Sequence, residues 1–287
     1  MRVRIVEIHR ILKSNGSLYL HLDYHAYHYM KVILDEVFGY KSFKNEIIWQ
    51  RKTGGGGASN GEPRNYTNAA DVILYYVKGK QWTYNQQYLP HNEEYLKTFY
   101  KNVDENGRRY SLGDMTKPEY DPNYVYDYKG YKPPAKGWRY PLESMKRLDR
   151  EGRLYLPEDK KGRIRYKRYI DELEGVPITN IWSDIGVLQS NSPEKTKWPT
   201  QKPVALLERI IATSSNEGDM IFDCFAGCGT SMHAAHKLKR KWVGVDISTT
   251  AMGENKKRLE QLNAKVNIVD EKTLEQTTEY KAAKKAA

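Results

Sequence analysis

Met220-Ile-Phe-Asp-Cys-Phe-Ala-Gly-Cys-Gly-Thr230 is the stretch on which the fold turns. Met220 to Phe225 reads as a buried β-strand, Gly227-x-Gly229 follows at once, and Ser231 to Leu238 reads as a helix. Glycines let the backbone turn sharply and approach a ligand closely. The helix start behind them offers N–H groups and the positive end of a dipole to a carboxylate or phosphate. Seventeen residues after Gly229 comes Asp246, late in a second strand, Lys241 to Ile247. An acid there can accept hydrogen bonds from both hydroxyls of a ribose, as in nucleotide-binding βαβ units.

The full dinucleotide fingerprint needs a third glycine, and that position holds Met232. A nicotinamide or flavin pyrophosphate is therefore disfavoured. S-adenosylmethionine fits better, because it has a ribose and adenine, a carboxylate for the helix end, and no phosphate. Just upstream, Thr200-Gln201-Lys202-Pro203 leads into a helix marked by Val204, Leu207, Ile210 and Ile211. Thr200 is placed to cap that helix and Lys202 to face a carboxylate.

The same alternation of strand and helix occurs at the N-terminus. Val3, Val6, Ile8, Ile11 and Leu12 predict a helix over residues 2–13, SLYLHLD (Ser17 to Asp23) a strand, and Tyr29, Val32, Ile33 and Val37 a second helix stopping at Gly39. Strands are expected at Glu46 to Gln50 and Val72 to Val77, separated by the glycine-rich run Gly54 to Gly61. The predicted class is a doubly wound, Rossmann-like α/β sheet.

Between residues 81 and 180 the character changes: fourteen of the 23 tyrosines lie there and apolar periodicity weakens. Within it, Lys129 to Tyr169 carries fourteen basic and five acidic residues, a local charge of +9. Tyr131, Trp138, Tyr140, Tyr155, Tyr166 and Tyr169 are interleaved with these charges, a composition that pairs phosphate contacts with base stacking. A solvated basic face is the equally weighted alternative. The candidate nucleic-acid contacts are Lys129, Lys132, Trp138, Arg139, Arg163, Arg165, Lys167 and Arg168. The expected organisation is 1–80 and 196–270 as parts of one α/β domain, 81–195 as an inserted recognition region, and 271–287 as a frayed tail.

The composition agrees with this reading. The 287 residues carry a net charge of +11, which favours an anionic partner. No apolar run approaches the roughly 18 residues of a membrane span, and no cleavable leader is visible, so a cytoplasmic location without membrane contact is expected. Cys224 and Cys228 are the two cysteines and supply half a zinc site at best, so no metal is expected. His21, Asp23, His25 and His28 resemble a metal cluster only superficially, since the break from strand to helix after Asp23 scatters them.

Asp223-Cys224-Phe225-Ala226-Gly227-Cys228-Gly229-Thr230 resembles the S-adenosylmethionine motif of DNA amino-methyltransferases. Thr200-Gln201-Lys202-Pro203 is similar to the motif that in this family lines the methionine end of the cofactor. Further matches are Glu7 to Asp23, LDEVFG (Leu34 to Gly39), NEIIW (Asn45 to Trp49) and NIWSDI (Asn180 to Ile185). They cover nearly the whole chain in the order of the permuted β group, which includes the Mod subunits of type III restriction-modification systems. The resemblance implies cofactor contacts from Thr200, Lys202, Asp223, Cys224, Phe225, Ala226, Gly227, Gly229, Thr230 and Asp246. It also implies site-specific methylation of an exocyclic amino group in duplex DNA, adenine before cytosine. A restriction subunit and a second copy of the chain are the further partners it allows.

That family carries its chemistry on Asp-Pro-Pro-Tyr or Asp-Pro-Pro-Phe, which stacks the flipped base and orients its amine. No such tetrapeptide occurs here, so no catalytic residue is assigned. Asp121-Pro122-Asn123-Tyr124 has no apolar strand ahead of it, and Tyr131-Lys132-Pro133-Pro134 offers no acid before the prolines. The family fold would put the absent strand between Met220 to Phe225 and Ser17 to Leu22, leaving a gap in the middle of the sheet. The expectation is a chain truncated upstream of Met1. A noncatalytic cofactor- and DNA-binding remnant, a fragment completed by a separate chain, and a methyltransferase of structured RNA are the rivals.

Overall fold

Helix α1 (Arg2–Ile11), strand β1 (Ser17–Leu22) and helix α2 (Tyr27–Phe38) occupy the first forty residues in a computed structural model that describes residues 1–52 and 66–277. Gly54 to Gly61 and the tail 279–287 lie outside the described residues. The helices form where predicted, but each is rotated from the predicted stripe. In α1, Ile5 and Ile8 are buried whereas Val3 is 78% exposed; in α2, Met30, Leu34 and Phe38 are buried whereas Tyr29 and Val32 are exposed. The reason is that both helices carry apolar residues on more than one face. Alternative stripes satisfy the helical period, and only contact with the sheet selects one. Gly39, at φ +83°, ends α2 as predicted.

Strands β2 (Phe43–Gln50) and β3 (Ala70–Val77) complete the N-terminal layer. β3 lies between β1 and β2, antiparallel to both, with Ser17 opposite Val77 and Trp49 opposite Asp71. Its alternate residues serve two cores. Val72, Leu74 and Tyr76 pack with α1 and α2, and Ile73, Tyr75 and Val77 pack on the other face with Trp49, Trp182 and Leu206. This two-sided burial explains why VILYYV reads as one unbroken apolar run.

Tyr88–Pro177 forms a separate compact unit; the rest of the described chain packs as the other. The shorter unit holds β4 (Tyr88–Leu89) paired with β9 (Val176–Pro177), helices α3 (Glu93–Phe99) and α4 (Leu142–Arg150), and a four-stranded antiparallel sheet. That sheet is ordered β5 (Asn102–Val103), β6 (Arg109–Gly113), β8 (Arg165–Tyr169), β7 (Leu154–Tyr155). Residues 81–87 and 178–195 of the predicted insert pack with the larger unit.

In the larger unit β10 (Ile181–Trp182) runs parallel to β2 and extends the first sheet to the order β1-β3-β2-β10. Helix α5 (Val204–Ser214) follows. Strands β11 (Met220–Asp223) and β12 (Lys241–Gly244) form a parallel pair, with α6 (Thr230–Lys237) between them in sequence and α7 (Thr249–Glu260) and α8 (Glu271–Gln276) after them. Among the described residues β11 has β12 on one side only and β1 has β3 on one side only. Ile221 and Trp242 pack toward α5 and α6, while Met220, Phe222, Val243, Val245 and Ile247 are exposed.

Candidate functional site

The glycine hairpin closes through its own acids. Asp223, at the end of β11, accepts the amide N–H of Phe225 at 2.9 Å and the hydroxyl of Ser231 at 2.5 Å, tying the strand to the first turn of α6. Asp246 accepts the N–H of Gly227 at 2.8 Å and that of Ser248 at 2.9 Å. The acid that the sequence singles out therefore also anchors the hairpin, and each of its oxygens keeps a second lone pair for a hydroxyl. Gly227 at φ +50° and Gly229 at φ +80° occupy left-handed backbone, where a side chain is strained. At Gly229 a Cβ would also fall 2.1 Å from Asn255 Oδ1. Gly229 starts α6 with no side-chain cap, so the end of the helix dipole is available to an anion.

The preceding segment folds over this hairpin. Gln201 Oε1 accepts the N–H of Thr196 at 2.6 Å and its hydroxyl at 2.8 Å, and Gln201 Nε2 donates to the carbonyl of Glu194 at 2.7 Å. Trp198 packs against Gly227, and Lys202 is half-buried. Burial holds the Lys202 ammonium below the usual lysine range, opposed by the nearby Asp71 carboxylate. Lys202 donates to the Thr200 carbonyl at 3.1 Å, and among the described residues no carboxylate is within ion-pair distance of this cation. One expectation is corrected: Thr200 is exposed and does not cap α5. Glu194 instead accepts the first N–H of that helix, from Val204, at 3.1 Å. Pro203 stands at the cap position and has no side-chain acceptor to offer.

Among the other predicted cofactor residues, Phe225 is partly exposed, beneath the Arg4 guanidinium at 5.1 Å, and the half-buried Cys224 packs against the first core. Ala226 and Thr230 are buried. The Thr230 hydroxyl accepts from Arg258 Nη1 at 2.9 Å, so its side chain shapes the hairpin from behind rather than facing a ligand. Sequence reasoning missed Glu194, Trp198, Asn255 and Arg258. They lie outside the glycine motif, and only the tertiary packing brings them to it.

This geometry passes a fit test for a sulfonium nucleoside. At Gly227 and Gly229 a Cβ would run into Trp198 and Asn255, so only glycine permits this tight hairpin; an acid stands just after the next strand, and a partly buried cation and a helix start without a side-chain cap lie near it.

The basic unit reads differently. Trp138 is 1% exposed, its indole donates to the Tyr126 carbonyl at 2.7 Å, and it packs with Met115, Tyr128, Tyr131 and Met145. It is a core residue and cannot stack on a base, which corrects its assignment; Tyr131 and Tyr169 are buried as well. Lys129 pairs with Asp149, Lys132 with Asp127 at 2.6 Å, and Arg165 with Asp114 at 3.3 Å. Arg139, Arg163 and Arg168 are exposed, and Lys167 is half-buried over the Tyr110 ring at 5.2 Å. Tyr155, opposite Arg165 across the β7–β8 pair, is an exposed aromatic within this basic surface.

Asp121 accepts the N–H of Asn123 at 3.0 Å and Lys117 Nζ at 2.6 Å, closing its own short turn. His21 bonds Asp71 at 3.0 Å and His25 bonds Asp23 at 3.0 Å. Among the described residues no group of three or more His, Cys, Asp or Glu is placed to hold a metal ion, and no helix is long and apolar enough to cross a membrane.

With the hairpin and its acids in view, the chain can be placed. It belongs to the DNA methylase family, whose model matches residues 1–257. The type II methyltransferase M.EcaI of Enterobacter cloacae is 32% identical over 253 residues, 88% of this chain and 54% of that protein. The Mod subunit of the type III restriction-modification enzyme StyLTI of Salmonella typhimurium is 26% identical over 253 residues, 84% of this chain and 38% of that protein. The chain thus spans about half the length, or less, of these relatives. Among solved structures, the M1.HpyAVI–SAM complex aligns over 90% of this chain and 81% of its own, with 21% identity and a TM-score of 0.45.

Proposed function

We propose that this chain is the cofactor-binding and target-recognition part of a site-specific DNA methyltransferase. The substrate is an exocyclic amino group in duplex DNA, that of adenine, and the methyl donor is S-adenosylmethionine. The observation that carries the reading is the strand–Gly227-x-Gly229–helix hairpin pinned by Asp246. The bound cofactor would supply an electrophilic methyl group. Asp246 would hold the ribose, and Lys202 with the start of α6 would hold the carboxylate. Asp223 keeps the hairpin in register. The unit Tyr88–Pro177 would meet DNA through Arg139, Arg163 and Arg168 at the phosphates, with Tyr155 as the aromatic among them.

A specific observation favours a second reading of how the site is completed. No Asp-Pro-Pro-aromatic tetrapeptide occurs in the sequence, and among the described residues β1 and β11 each have a partner strand on one side only. Extruding a base costs a few kcal/mol, offset by pocket contacts that also align the amine. The groups that align it would then come from a strand outside these residues, in the same polypeptide or another. A restriction subunit is the further partner suggested by the type III relatives.

Calorimetric titration with S-adenosylmethionine, paired with a tritium-transfer assay on duplex DNA, tests the proposal. Binding without transfer supports a chain that needs completing, robust turnover refutes that part, and no binding refutes the cofactor reading. Competition between duplex DNA and structured RNA at fixed salt separates the nucleic-acid classes.

A further inference from the structure

We propose that the indole N–H of Trp198 is a further cofactor-binding group, donating to the amino-acid carboxylate beside Lys202. The inference rests on the methyl-donor reading of the pocket and assigns the atom that gives the carboxylate its direction. Trp198 turns its pyrrole edge toward the hairpin: a Cβ on Gly227 would lie 3.3 Å from Nε1 and 3.8 Å from Cε2. The bare glycine is what lets an indole donor approach this closely.

The segment that carries it is held rigidly. Trp198 N donates to Thr196 Oγ1 at 3.1 Å, and Gln201 links Thr196 to Glu194. Glu194 Oε2 accepts the N–H of Val204 and lies 3.7 Å from Arg258 Nη2, while Arg258 Nη1 reaches Thr230 at the start of α6. Arg258 is 6% exposed, so segment and hairpin are joined behind the site by a buried cation.

Trp198 and Lys202 are four positions apart on this short strap. An ammonium is a point charge with freely rotating donors. An indole N–H on a fixed ring donates along one line, and a hydrogen bond to a charged acceptor is stronger than one to a neutral acceptor. Together they form a two-point clamp.

Trp198→Phe removes the donor and keeps a smaller aromatic ring, and the comparison of two ligands separates the lost donor from the lost ring area. Calorimetry should then show S-adenosylmethionine binding weakened about 10- to 100-fold, with binding of 5′-methylthioadenosine, which lacks the amino-acid carboxylate, changed less than two-fold and the melting temperature unchanged. Equal losses for both ligands, or no loss for S-adenosylmethionine, overturn the assignment. The second measurement needs no stable variant. In the unsubstituted protein with 15N-labelled tryptophan, one indole N–H resonance should move on adding S-adenosylmethionine and stay in place with 5′-methylthioadenosine. No resonance that distinguishes the two ligands overturns it. If the unsubstituted chain binds neither ligand, the methyl-donor reading itself fails.

Discussion

Gly229→Ala separates backbone strain from steric overlap at the hairpin. Gly229 sits at φ +80°, and an added Cβ would lie 2.1 Å from Asn255 Oδ1 and 2.4 Å from its Cγ. Asn255 is buried on α7, so its side chain has little room to move away. The left-handed backbone alone costs an alanine roughly 1–2 kcal/mol, and overpacking adds roughly 1–3 kcal/mol, for a total near 2–5 kcal/mol. Gly218 is the control, with φ +82° and open space where a Cβ would go, so Gly218→Ala should cost only the backbone part. Gly244 is the converse: its backbone is ordinary and its Cβ would meet the flexible end of Met232 at 2.7 Å, predicting a loss of about 1 kcal/mol. Adding Asn255→Ala to Gly229→Ala should return the overlap part, a coupling of roughly 1–3 kcal/mol. Urea unfolding followed by circular dichroism, with slopes checked for constancy, measures these four variants and Asn255→Ala alone, which the coupling requires. A Gly229→Ala loss no larger than that of Gly218→Ala, or a coupling near zero, would refute the close approach of α7 to the hairpin.

Asp246→Ala should weaken S-adenosylmethionine by about 1–3 kcal/mol and lower the melting temperature, because the Gly227 N–H loses its acceptor; an unchanged dissociation constant by calorimetry removes Asp246 from the site. Trp138→Ala should destabilise the Tyr88–Pro177 unit by about 3–5 kcal/mol, read by chemical denaturation, whereas a variant of undiminished stability with weakened DNA binding would restore Trp138 as a contact residue. Reversing Arg163 and Arg168 to Glu should flatten the salt dependence of DNA binding, each removed phosphate contact lowering the slope by about one, and an unchanged slope assigns both to solvent. Burial, reinforced by Arg258 and Lys237, pushes His233 down to about 4. The unfolded chain then binds more protons than the folded one between pH 6.5 and about 4, so stability falls on acidification through that window. His233→Gln should flatten the decline by about 1 kcal/mol between pH 7 and 5, once solvent screening of the half-buried ring is allowed for. Identical urea midpoints of variant and parent at both pH values would refute it.

The alternation of strand and helix was legible because its signals are local: the unbroken apolar run of β3, the alternation in β1, Gly39 after α2, and the glycines before α6. Which helix stripe faces inward was not, since α1 and α2 are apolar on several faces and the sheet decides. The fate of the aromatic and basic run was equally hidden. Composition cannot tell a tyrosine that stacks on a base from one whose hydroxyl reaches a backbone carbonyl in a core, as Tyr126 does at 2.6 Å to Tyr140. Around the hairpin, Asp223 and Asp246 stood out by their spacing from the glycines. Arg258 and Glu194 did not, because 64 residues of chain separate two groups that meet only after α5, α6 and α7 pack together.

The row Met220, Phe222, Val243, Val245 and Ile247, the last 93% exposed, bears on handling in solution. Exposed apolar side chains on and just beyond this strand pair are expected to favour dye binding and self-association. Ligand titrations are therefore best repeated at several protein concentrations. A dissociation constant that drifts with dilution would report this flank being masked and unmasked, rather than a change at the proposed cofactor site.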